Sequence, residues 1–148
     1  MSHTKDNRVH WSFWAISAVL MIWNVLGSVN YLWQVSAGAE ALATLPDTHR
    51  AIIDGRPVWA TGGFAVGVFG GALGGLLLLL RKSAAVYLFI ASLLGVILTM
   101  IHTIQIASST IDFGPMEIFV MILMPLVVAV FSIWYSMLAK SKDWIRQI

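Results

Sequence analysis

Six polar side chains in a mostly apolar chain have the types and spacing to bind a solute or move a proton: Asn24, Tyr31, Gln34, His102, Gln105 and Glu117. On a helix, Asn24, Gly27, Ser28 and Tyr31 share one face, with Asn30 and Gln34 beside it. Ser92, Gly95, Thr99 and His102 make a similar stripe, and Gln105 follows His102 by three residues. Glu117 opens the last apolar run. Histidine changes charge near neutral pH, so His102 has three candidate roles: proton carrier, ligand, or hydrogen-bond partner of a substrate. An ionisable group at membrane depth is expensive unless paired or wet, which makes it a functional hypothesis. Each residue also has a plainer role. His102 reads as a satisfied histidine near the interface, and Glu117 as a first-turn carboxylate favoured by the helix dipole. Asn24, the deepest, reads as an interhelical hydrogen bond of about 0.6 to 2 kcal/mol.

What is missing limits the chemistry. The chain has no cysteine, so disulfides, thiolate zinc sites, iron–sulfur ligation and cysteine nucleophiles are all excluded. No two of His3, His10, His49 and His102 pair across a bundle at one depth, as haem would require. The seven Met residues, Met121 and Met124 among them, read as adaptable packing. His102 and Glu117 alone are too few for a zinc or iron carboxylate site. There is no GK[ST] phosphate loop and no G-x-S-x-G elbow. The residues therefore predict a protein that is not an enzyme and holds no cofactor or metal.

The elements that must position these residues are membrane spans. Of 148 residues, 59% are hydrophobic and 11% charged, with a mean hydropathy of +0.84. That balance belongs to an integral membrane protein. About 20 apolar residues cross a bilayer core of roughly 30 Å. Four runs meet this length, at 11–35, 58–80, 83–107 and 115–138, within one transmembrane domain, 1–148. The first is too long and too aromatic for a signal-peptide core of about 7 to 15 residues, although Lys5 and Arg8 precede it. Trp11, Trp14, Tyr31 and Trp33 lie towards its ends, where amphipathic rings settle.

The loop 36–56 predicts a short helix over 39–45 and a second opening at Pro46-Asp47, which Gly55 ends and Pro57 keeps from continuing. Arg81-Lys82 is so short a connection that the second and third spans form an antiparallel hairpin. Pro125 predicts a kink in the fourth span, and Trp144 an interfacial anchor in the tail. Lys5, Arg8, Arg81, Lys82, Lys140, Lys142 and Arg146 fall on one side, against Arg50 and Arg56 on the other. The positive-inside rule then puts both termini in the cytoplasm and the six polar residues, Asn24 excepted, in the outer half. Topology accounts for the basic charge, so no nucleic-acid partner is implied.

The second span carries Gly63, Gly67, Gly71 and Gly75 at every fourth residue, widened by Gly70 and Gly74. In a bilayer such a stripe lets another backbone approach closely. Its partner is either another chain or the small residues Ala15, Ala18, Gly27, Ser28, Ala91, Ser92 and Gly95 of this one.

Trp23-Asn24 with Gly27 and Tyr31, Pro57-Val58-Trp59, and Phe69-Gly70-Gly71 with Gly74 leading into 78–82 are similar to short four-span bacterial inner-membrane proteins commonly labelled "sugar transporter". The resemblance covers the first three spans and implies a bacterial inner-membrane location. The leading expectation is an all-α four-helix transmembrane bundle. It would act in the lipid bilayer as a homo-oligomer or as an accessory subunit of a larger complex, through a glycine-zipper face. The alternative is a small-solute carrier that uses the polar pocket.

Overall fold

A computed structural model describes residues 8–109 and 111–147. The polar lead at 1–7, with His3 and Lys5, lies outside the described residues, as do Thr110 and Ile148. The described residues are all-α, and among them are four helices long and apolar enough to cross a membrane. They are α1 (Trp11–Ser36), α4 (Val58–Leu79), α5 (Ala84–Ala107) and a composite fourth span, Pro115–Ser141. Two short helices, α2 (Ala39–Ala43) and α3 (Asp47–Ile53), fill the first loop, close to where Pro46-Asp47 put them. Gly55 adopts φ +68°, a left-handed turn that ends α3 and sends the chain into α4.

The fourth span consists of α6 (Pro115–Ile118), a π-helical turn (Phe119–Leu123) and α7 (Met124–Ser141). Pro125 lacks an N–H for the carbonyl four residues back. The helix absorbs this as a π turn, in which Met124 N–H bonds to Phe119 O. Arg81 closes the α4–α5 hairpin at φ 59°. Its Nε donates to Trp144 O at 2.6 Å, Ser83 N–H to Arg146 O at 2.9 Å, and Arg146 N–H to Arg81 O at 2.7 Å. The C-terminal tail thus clamps the hairpin. Trp144 is half-buried and packs edge-on against Phe13 at 5.9 Å, which draws the expected interfacial anchor inward.

The six stripe glycines of α4, Gly62 apart, are filled from within the chain. A Cβ on Gly63 would lie 2.7 Å from Leu98 Cβ, and one on Gly74 2.8 Å from the Phe89 ring. Gly67 and Gly70 face the α5 backbone at Gly95 and Ser92. Gly71 and Gly75 instead meet Asn24 and the Met21 backbone of α1. With 3.6 residues per turn, a step of four advances about 40° too far, so three steps carry the stripe about 120° round the helix. That drift is enough to pass from one neighbour to the other. Of the two partners the sequence left open, α1 and α5 of the same chain fill the stripe, as two internal seams. Ser92 Oγ donates to Gly67 O at 2.6 Å across one seam, which only glycine-close backbones allow.

At the end that holds the termini, the bundle is solid. Phe13, Leu20, Leu78, Ala85, Phe89, Tyr135, Ala139 and Ile145 form one buried cluster there. At the α3 end it is hollow.

Candidate functional site: a cavity between the spans

The bundle encloses a cavity of about 500 Å3. α1 supplies Trp23, Asn24, Asn30, Trp33 and Gln34 to its wall, α5 supplies Ser92, Thr99 and Thr103, and the fourth span supplies Met121, Pro125 and Ser132. His49, Ile52 and Ile53 of α3 cap one end, beside Arg56. α1 meets the fourth span where Phe13 stacks on Tyr135, ring centroids 6.4 Å apart. Farther along, the two helices part around the cavity. Leu26 on one side of the gap is 63% exposed and Val120 on the other 50%, yet both line it. The cavity is therefore open between the apolar faces of α1 and the fourth span that carry these two residues.

Of the six predicted pocket residues, the structure brings Asn24 and Gln34 to this cavity. Asn24 Nδ2 donates to Leu20 O of its own helix at 2.8 Å, so the expected interhelical bond is replaced by an intrahelical one. Its amide occupies the space a side chain on Gly71 would take. Tyr31 turns to α4 instead, edge-on to Phe64 at 5.3 Å and Phe69 at 5.6 Å. Gln105 is exposed and does not line the cavity.

His102 and Glu117 hold the cap. The His102 ring is 5% exposed, and its Nε2 lies 3.0 Å from Ile52 O. A carbonyl only accepts, so Nε2 carries the proton and satisfies one of the last carbonyls of α3. Thr48 Oγ1 donates to Glu117 Oε1 at 2.5 Å, while Gly114 N–H donates to Glu117 Oε2 at 2.9 Å. One carboxylate thus caps the fourth span and ties α3 to it, which fits the plainer reading of Glu117. Replacing His102 with Phe removes one such tie, worth about 1 kcal/mol. Amide hydrogen exchange across α3 should then rise about fivefold, with α4 and α5 unchanged.

The residue that sequence reasoning passed over is Arg56, which counted only as a loop charge. Its Nη2 donates to Gln34 Oε1 at 2.6 Å, and the guanidinium carbon lies 5.2 Å from the Phe64 ring centroid. Its Nε is buried with no hydrogen-bond partner. Burial pushes the guanidinium pKa below its ordinary value, partly opposed by Tyr31. Even so, an arginine keeps its charge at neutral pH. Among the described residues no carboxylate pairs with Arg56, and no Asp or Glu lines the cavity. The sequence signal was the placement of a lone basic residue immediately before Pro57 and the α4 apolar run. No cluster of three or more acidic, histidine or cysteine side chains fit for a metal occurs among the described residues.

Comparison with protein-family models, with curated proteins and with solved structures gives no match. The cavity itself is the basis for a functional reading.

Proposed function

We propose that this is a non-enzymatic membrane protein that binds a small, largely apolar molecule in its central cavity, as a carrier or a binding subunit. The observation that supports this reading is the cavity, about 500 Å3 and open between α1 and the fourth span. That volume falls in the range of small-molecule sites, roughly 300 to 1,000 Å3, and a few polar groups set in apolar walls are their usual make-up. The likeness to four-span proteins labelled "sugar transporter" agrees with solute handling. The walls, however, offer few partners for the many hydroxyls of a sugar, and each one buried unpaired costs a few kcal/mol. An apolar or amphiphilic solute fits better. With Lys and Arg biased towards the end that holds the termini, the α3 cap faces outward across a bacterial inner membrane.

The test is ligand-dependent thermal stabilisation of the protein in mild detergent, against sugars, small osmolytes and single-chain amphiphiles. Ala129 is 7% exposed and lines the cavity. Ala129→Trp should fill it. A ligand at about 100 times its Kd should stabilise the parent protein by about 2.7 kcal/mol and leave the filled variant unmoved. Equal shifts in both would end this reading.

A second reading, a subunit of a larger membrane assembly, draws on the fourth span. Only 11% of its most apolar stretch is buried, against 28 to 33% for the other three. With the glycine seams filled from inside, this is the face that contact with another subunit would use.

A further inference from the structure

We propose that the cavity selects amphiphiles with an anionic head, a carboxylate or a phosphate on a single apolar chain, that enter sideways from the lipid and seat the head on Arg56. The inference rests on reading the cavity as a ligand site and names the class of molecule it takes.

Three observations converge on it. First, the charge lining the cavity is positive: Arg56 lines it and, among the described residues, no Asp or Glu does. Glu117 is occupied by Thr48 and Gly114. Asp47 is occupied by Arg50.

Second, Arg56 has donor capacity to spare. Gln34 takes Nη2, Phe64 covers the guanidinium carbon, and Nε is buried without a partner. A guanidinium presents five donors in a planar fork that matches the paired oxygens of a carboxylate or phosphate. A charge drawn partly out of water and left without a counter-ion is costly, and an entering anion relieves that cost.

Third, the remainder of the cavity suits a chain. Leu26, Val68, Val96, Met100, Val120 and Val128 line it. Its opening lies between apolar helix faces, so a molecule already dissolved in the lipid reaches it without crossing water. A fully polar anion would have to cross the bilayer or pass the α3 cap, which His102 and Glu117 tie to α5 and the fourth span.

The experiment measures binding of head-group variants of one twelve-carbon chain to the full chain in nanodiscs of zwitterionic lipid. Dodecanoate and dodecyl phosphate should bind about tenfold to a hundredfold tighter than dodecanol, the range of one charge-assisted hydrogen bond or two. Dodecyltrimethylammonium should not compete. Arg56→Gln should abolish the preference for the acid over the alcohol, while Arg56→Lys retains part of it. Because the head-group comparison uses the parent protein, it stands even if a variant fails to fold.

If dodecanol binds as well as dodecanoate, and Ala129→Trp abolishes both, the anionic-head proposal fails and the cavity reading survives. If no chain binds, both fail. If acetate or inorganic phosphate displaces dodecanoate at matched concentration, the site takes free anions from water and the lipid route is wrong.

Discussion

Replacing Gly95 with Ala should bring down the thermal unfolding midpoint in detergent more than any other single methyl added to this chain. A Cβ at Gly95 would lie 2.5 Å from both Gly63 O and Gly67 N. These are backbone atoms of a neighbouring helix, so no side chain can rotate out of the way. α4 and α5 would have to separate, and the Ser92 to Gly67 bond would lengthen with them. Overpacking of this kind costs about 1 to 3 kcal/mol where neighbours can yield, and rigid backbone puts Gly95 at or above the upper end. Helix propensity returns only about 1 kcal/mol on exchanging Gly for Ala. Gly62→Ala is the control, since nothing lies within 4 Å of a Cβ there. It should be neutral or slightly stabilising. Equal losses from both would mean that the seams are not where the glycines matter.

Phe13→Ala is expected to have the next largest effect, and it reaches the cavity from a distance. Phe13 is fully buried at the end that holds the termini, between Tyr135, Trp144 and Trp14. It is the wedge at which α1 and the fourth span touch before they part. Truncating a buried Phe costs about 3 to 5 kcal/mol. The further consequence is geometric: with the wedge gone, the gap between the two helices should widen and fluctuate. The chain has no cysteine, so introduced cysteines label cleanly. Spin labels at Val19 and Val130, which are 65% and 55% exposed, should give a broader and longer distance distribution in the variant. An unchanged distribution would show that α5 alone holds the fourth span in place.

Local signals made much of the architecture legible. Hydropathy located all four spans to within a few residues, Pro46-Asp47 and Gly55 bracketed α3, and Arg81-Lys82 implied the hairpin. Pro125 signalled an irregular helix, though not that a π turn would absorb it. The candidate site was less legible. Asn24 and Gln34 reach the cavity, but Tyr31, His102, Gln105 and Glu117 do not. Depth in the membrane follows from sequence position, whereas the direction of a side chain around the helix matters only relative to neighbours that the sequence does not name. Arg56 was hidden for a related reason: a charge beside a span reads as topology until its surroundings are known.

From its sequence alone this chain is committed to lipid, to four helices, and to backbones that approach closely at the glycines of α4. These properties depend on composition and on spacings of a few residues, which local physics reads directly. Tertiary structure decided that the glycines face α1 and α5 of the same chain, that the end holding the termini is solid, and that Arg56 sits at the edge of a hollow. The reason is geometric. A drift of about 40° for every four residues divides one stripe between two partners, and the parting of α1 from the fourth span beyond the Phe13–Tyr135 contact leaves the space between them.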